Sequence, residues 1–184
     1  MYNKQSILAS IFTLMASSTA TASIQGELGS TSTASTVVSL EIVDRINING
    51  INDIDLGQFN GAEDLVGGSA FCVFRNGGDD YELTISDAES IIAKPGNKDK
   101  FLLSSDSAQE SVEFSVMVDD DDDASNGSLI TKGATVQFSG SKEIDCTKNG
   151  ENASIEVRIL ASDLIELSTG SDYSGTLVLN VAPI

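Results

Sequence analysis

The densest group of side chains that could do chemistry is a run of five consecutive aspartates at residues 119–123. Carboxylate oxygens are ligands that Ca²⁺ prefers, so the run suggests a cation site. It lacks the spacing of an EF-hand loop, because no glycine stands at the sixth position and no glutamate closes the loop. A solvated loop is the alternative that we favour. We therefore predict no metal site, while weak Ca²⁺ binding by exposed oxygens stays open.

Side chains that commonly carry catalysis are scarce. The chain has no histidine, which removes the commonest general base and metal ligand. It contains no Gly-x-Ser-x-Gly elbow, phosphate loop or dinucleotide fingerprint. A carboxylate pair could hydrolyse a glycoside, but with 28 acidic residues chance pairs are expected and none stands in a distinctive context. We predict that the protein is not an enzyme and uses no cofactor.

The N-terminus has the organisation of a secretory signal peptide over residues 1–22. Lys4 supplies a positive start, residues 7–16 are mostly apolar, and Ala20-Thr21-Ala22 is a small-x-small cleavage site. A membrane anchor is the alternative, but about ten apolar residues are too few to cross a bilayer. We expect cleavage after Ala22 and no membrane insertion of the mature chain.

Two cysteines, Cys72 and Cys146, are present. In an exported protein an even count favours a disulfide over the alternative of two buried thiols, and one intramolecular pairing is possible. We expect this bond, which contributes roughly 4 kcal/mol in the chain-entropy model.

The chain is strongly acidic, with a formal net charge of −18. Such a surface repels nucleic acid and anionic lipid, so we exclude both as partners. A hydrophobic fraction of 40 % over 184 residues is enough for the core of one domain.

Short alternating segments separated by turn residues predict an all-β fold. Candidate strands cover residues 37–43, 54–59, 70–74, 81–85, 100–103, 112–118, 135–138, 154–160 and 173–181. In the clearest of them Val112, Phe114, Val116 and Val118 share one face, which we expect to lie on the core. Two segments, residues 86–93 and 161–167, could instead form a turn or two of helix. This spacing of strands and turns favours an antiparallel β-sandwich.

The segment after the signal peptide is different in composition. Residues 23–36 are mostly small and polar, with Ile24 and Leu28 as the large apolar side chains. Val38, Leu40 and Ile42 then recur at two-residue spacing. A loose lead followed by such a strand suits addition to the sheet edge of another molecule. A disordered tail with an ordinary first strand fits the pattern equally.

Motifs from end to end resemble pilins of the chaperone–usher class, most of all the archaic, spore-coat-U-like subunits. They are the glycine- and threonine-rich N-terminal lead, the Val38/Leu40/Ile42 strand, Leu56-Gly-Gln-Phe59, Phe71-Cys-Val73 with the glycine turn and Tyr81 that follow, Cys146, and the ending Tyr173-Ser-Gly-Thr-Leu-Val-Leu179. Many archaic pilins carry a cysteine soon after the N-terminal lead, and this chain does not.

The resemblance implies an Ig-like antiparallel β-sandwich that is incomplete and is completed by a donor strand. Residues 23–44 would be the donor-strand extension, residues 45–184 the pilin domain, and Val38, Leu40 and Ile42 the side chains that plug a neighbour. Ile24 and Leu28 are weaker candidates. The implied partners are copies of itself or other pilins, a periplasmic chaperone and an outer-membrane usher.

The implied function is that of a structural subunit of a surface fimbria that supports adhesion and biofilm formation. The chain would cross the periplasm and end at the cell surface. The alternative is a secreted adhesin, or a calcium-binding coat or matrix module, with a complete β-sandwich.

Overall fold

A computed structural model describes residues 23–88, 99–148 and 150–184, so the predicted signal peptide lies outside the described residues. The chain divides into two compact units, Met1–Glu41 and Ile42–Ile184. In the described part of the first unit every residue is exposed, and Ile24 and Ser35 exchange two backbone hydrogen bonds of 3.0 Å.

The regular elements of the second unit are almost all antiparallel strands. The strands are β1 (Ile46–Asn49), β2 (Leu65–Arg75), β3 (Asp80–Asp87), β4 (Phe101–Ser105), β5 (Glu110–Asp119), β6 (Ser128–Ile130), β7 (Thr135–Ser139), β8 (Ala153–Ile159) and β9 (Leu177–Pro183). A 3₁₀ turn at Ala124–Asn126 and one short helix, α1 (Ala161–Leu164), complete the elements of the described residues.

The strands form two sheets. The larger has the order β1-β2-β8-β5-β4, and β6 pairs with the second half of β5. The smaller has the order β7-β3-β9, so β3 is its central strand and β9 lies at one edge. Both sheets contribute to one hydrophobic core, in which Phe71, Leu83 and Ile155 are almost completely buried. The predicted all-β, antiparallel sandwich is therefore confirmed.

The core-facing side chains follow the alternation of the sequence. Val112, Phe114, Val116 and Val118 are all buried, as predicted, while Glu113 between them is exposed. In β3, Tyr81, Leu83 and Ile85 are fully buried. Successive side chains of a strand point to opposite faces, and one face of each strand meets the core.

The predicted disulfide between Cys72 and Cys146 is confirmed. The bond ties β2 to the loop between β7 and β8, with 5.9 Å between the two Cα atoms, and both cysteines are buried. It closes a loop with a sequence separation of 74 residues, and a loop of that length restricts the unfolded chain considerably.

We expect Cys72→Ser to lower the free energy of unfolding by about 4 kcal/mol, because the unfolded chain regains the freedom that the bond removes. Urea unfolding of the variant and of the oxidised protein measures this difference. Reduced wild-type protein is the control and should unfold like the variant. Two thiols that react with an alkylating reagent before any reductant is added would contradict the assignment.

Two predicted strands are not strands in this chain. Residues 37–43 and 54–59 have the right alternation but no ladder partner in the described residues. A strand exists only when its backbone groups are paired, so a pattern without a partner remains an extended segment. The predictions also missed β1 and β6, which have four and three residues.

The remaining elements lie close to their predicted positions. The last strand begins at Leu177 instead of Tyr173, and the predicted helix at 161–167 is reduced to α1. Of the predicted helix at 86–93, Ser86 and Asp87 belong to β3, Ala88 is described but lies in no element, and residues 89–93 lie outside the described residues. No helix in the part of the chain that the structure describes is long and apolar enough to cross a bilayer.

Candidate functional site

The outer edge of β9 is the first feature of the site. On its inner side β9 pairs with β3 from Leu177 opposite Asp87 to Pro183 opposite Tyr81. On its other side no strand of the described residues pairs with it. Such an edge presents unpaired N–H and C=O groups, which are a template for another strand. Leu177, Leu179 and Val181 of β9 are only half-buried, although they pack on the core.

The second feature of the site is formed by residues 51–59, which we call the wall segment. Both this segment and the edge of β9 line the same groove. After β1 the backbone turns at Gly50, with φ of 82°, and leaves the ladder. Ile54 and Leu56 then pack over Gly67 of β2, where an added Cβ would lie 2.9 Å from Ile54 Cγ2 and 3.0 Å from Leu56 Cδ2. The absence of a side chain at Gly67 lets the wall segment lie close to the sheet.

The floor of the groove between these walls is the core itself. It is lined by Val112 and Phe114 of β5, Val157 and Ile159 of β8, and Leu103 of β4. The groove has a volume of about 960 Å³. It is therefore an opening into the sandwich, lined at its base by aliphatic and aromatic side chains.

Residues 168–176, which we call the end loop, also line the groove. Glu110 holds them in place, because its carboxylate accepts from Ser168 N at 3.0 Å, Ser168 Oγ at 2.9 Å and the Tyr173 hydroxyl at 2.7 Å. Ser104 and Ser174 add a reciprocal pair of backbone hydrogen bonds of 2.9 and 3.0 Å. Burial, together with the bond to Glu110, raises the pKa of Tyr173.

The backbone that leads into β1 is anchored by Arg75, at the end of β2. Its guanidinium donates to Asp44 Oδ2 at 2.8 Å and to the Ile184 carbonyl oxygen at 2.6 Å. The hydrogen bond from Arg75 lowers the pKa of Asp44, which keeps the carboxylate ionised. Asp44 also accepts from Gly77 N at 3.2 Å. One side chain thus joins the start of the sandwich to the residue that follows β9.

Asn76 holds the same stretch by hydrogen bonds to the residues on either side of Asp44. Its side-chain oxygen accepts from Arg45 N at 2.6 Å and its amide nitrogen donates to Val43 O at 3.0 Å. Its backbone N–H donates to Arg45 O at 3.2 Å. Residues 43–45 are therefore held on both sides of Asp44.

The predicted donor residues are all exposed. Val38, Leu40 and Ile42 are 89 %, 85 % and 75 % exposed, and the weaker candidates Ile24 and Leu28 are 67 % and 105 % exposed. Exposure of several large apolar side chains in one short segment is unfavourable in a lone molecule.

The aspartate run follows β5 and leads into the 3₁₀ turn. Asp120 to Asp123 are exposed, and Asp123 caps the turn by accepting from Ser125 N at 3.0 Å. In the described residues no three His, Cys, Asp or Glu side chains are grouped so as to hold a metal ion. The aspartate carboxylates of the run accept hydrogen bonds from backbone N–H groups of this turn.

Sequence reasoning missed Glu110 and the Arg75–Asp44 pair. The partners of Glu110 lie 58 and 63 residues away in the chain, and Asp44 lies 31 residues from Arg75. No local pattern carries such information. The only available signal was an arginine and an acid at the ends of alternating segments, which many surface positions share.

Comparison with known proteins adds little to these observations. No protein-family model matches the chain, and no curated protein matches it. A solved structure that it resembles comes from a study of a chaperone–tip adhesin complex in CFA/I fimbriae biogenesis. The superposition has a TM-score of 0.47 at 13 % identity and covers 76 % of this chain. This chain matches 42 % of the length of that one.

Proposed function

We propose that this protein is a structural subunit of a bacterial surface fimbria, and that it polymerises by donor-strand exchange. The open groove between the wall segment and β9 carries the proposal. A groove of this kind at one strand position gives room for a further strand, and the edge strand β9 lies beside it. An adhesin or matrix module with a complete sandwich would not need such an opening.

The strand that fills the groove belongs, in this proposal, to the extension at residues 23–44 of a second copy. Its apolar side chains stand two residues apart, a spacing of about 6.6–6.8 Å in an extended strand. Val38, Leu40 and Ile42 would therefore enter the groove in succession, while Ser39 and Glu41 face outward. Main-chain hydrogen bonds to β9 would complete the smaller sheet.

The same groove explains the partners that the proposal requires. Before polymerisation the open edge of β9 and its half-buried Leu177, Leu179 and Val181 would stay accessible, which promotes aggregation. A periplasmic chaperone would cover it in transit, and an outer-membrane usher would be the place where another copy, or another pilin, replaces the chaperone. The assembled fimbria would then act at the cell surface in adhesion and biofilm formation.

Removal of the extension tests this proposal directly. We expect the mature chain, residues 23–184, to form fibres that are visible by electron microscopy, and a chain that begins at Ile42 to form none. The shortened chain should still bind a synthetic peptide of residues 23–43, because its groove is intact. The same peptide with Leu40→Asp is the control and should not bind. Fibres from the shortened chain would contradict the proposal.

A further inference from the structure

The rim of the groove carries one sign of charge. Asp53 and Asp55 of the wall segment and Asp172 of the end loop line the groove and are exposed; we call them the rim carboxylates. No lysine or arginine is among the described residues that line it. An approaching strand therefore meets a negative potential before it meets the apolar floor.

The extension carries the same sign. Residues 23–43 contain Glu27 and Glu41 and no lysine or arginine. Glu41 lies between Leu40 and Ile42, so it would arrive at the rim with the side chains that plug the groove. The whole chain adds to this effect through its net charge of −18. Two copies must overcome like-charge repulsion to join.

We propose that the groove selects its strand by charge. An extended segment from a partner protein, with alternating apolar side chains and lysine or arginine at the outward positions, enters the groove faster than the acidic extension of a second copy does. This inference rests on the proposed function, since it takes the groove to be a site for a strand. Its consequence is that a basic partner occupies the groove first, and that direct self-association is slow at low ionic strength.

Salt separates this effect from the apolar contacts. Exposed charges interact over about 30 Å at an ionic strength of 0.01 M and over about 3 Å at 1 M. Steering by charge changes association rates by roughly 10- to 1,000-fold, whereas the dissociation rate reports the contacts made after docking. Charge selection should therefore appear in the association rate and disappear at high salt.

Three peptides with blocked termini provide the test, all covering residues 35–43. One has the natural sequence with Glu41, one has Glu41→Gln and one has Glu41→Lys, and all keep Val38, Leu40 and Ile42. We expect the Lys peptide to associate with the mature chain at least about tenfold faster than the Glu peptide at about 10 mM salt. The Gln peptide should be intermediate, and the three rates should converge at about 1 M salt.

A matched pair of protein variants assigns the effect to the rim. Asp53→Asn with Asp172→Asn removes two rim charges, and Asp120→Asn with Asp122→Asn removes two charges from the exposed aspartate run, away from the groove. The net charge changes equally in both. We expect the first pair to reduce the Lys-to-Glu rate ratio several-fold and the second to leave it nearly unchanged.

The possible outcomes are distinct. Binding of all three peptides at the same rate at low salt would overturn charge selection and leave the proposed function standing. Equal effects of the two variant pairs would overturn the role of the rim, because overall charge would then be responsible. Failure of every peptide to bind, at any salt concentration, would overturn the strand site and the charge selection together.

Discussion

A mature chain that carries Leu40→Asp is expected to form no fibres. The substitution would place a carboxylate in an apolar groove whose floor includes Val112, Phe114 and Val157. Burial of an unpaired charge costs far more than the roughly 1.5–3 kcal/mol that the leucine contributes when buried. Because Leu40 is 85 % exposed in the free chain, the variant should fold as the wild type does. Light scattering and electron microscopy of the two proteins measure the difference.

The neighbouring position supplies the control for this experiment. Glu41 would face outward, so Glu41→Ala should form fibres as the wild type does. The groove of the Leu40→Asp variant is unchanged, so a wild-type peptide of residues 23–43 should still bind to it. Normal fibres from Leu40→Asp would refute the role of Leu40, and equal loss in both variants would show that the opposite face enters the groove.

A copy of residues 23–44 appended after Ile184 through a short flexible linker is expected to stabilise the chain as a monomer. The appended strand would fill the groove of its own molecule and pair with β9. Three buried apolar side chains contribute roughly 1.5–3 kcal/mol each, and backbone hydrogen bonds offset part of the cost of ordering the strand. We expect a gain of several kcal/mol in the free energy of unfolding, with no fibres.

The matched control carries Leu40→Asp in the appended copy alone. This protein has the same length and linker, and it should be no more stable than the unmodified chain. Size-exclusion chromatography and urea unfolding of the three proteins give the comparison. If the unmodified chain is already a monomer that unfolds reversibly, and the appended strand adds nothing, then the sandwich is complete and the groove is not a strand site.

The sequence predicts those parts of the fold that depend on neighbouring residues. Strict alternation from Val112 to Val118 identified both the strand and its buried face. This was possible because a period of two is visible in neighbouring residues alone. The disulfide followed from the cysteine count and the predicted signal peptide, without any knowledge of the fold. These inferences require only a local pattern or a composition.

The groove could not be predicted in the same way. Residues 37–43 and 54–59 alternate as strands do, yet neither pairs within the described chain. A period of two shows that one face is apolar and does not show whether the partner lies in the same molecule. Whether such a segment becomes a wall segment, a donor strand or an ordinary strand depends on which sheet edges the topology leaves open. The open edges are known only once the sheets are assembled.

The anchor at Arg75 has a mechanical consequence for any fibre built from this chain. If Ile42 is held in one subunit and Asp44 is fixed in the next, only Val43 lies between them, and their Cα atoms can be at most about 7 Å apart. Little slack would exist between neighbouring domains. Tension would enter each domain at Asp44 and leave through β9, whose following residue, Ile184, is bonded to the same guanidinium. The Arg75 guanidinium would thus share the load with the backbone of β1 and with the apolar contacts in the groove, and the fibre would resist bending at its joints.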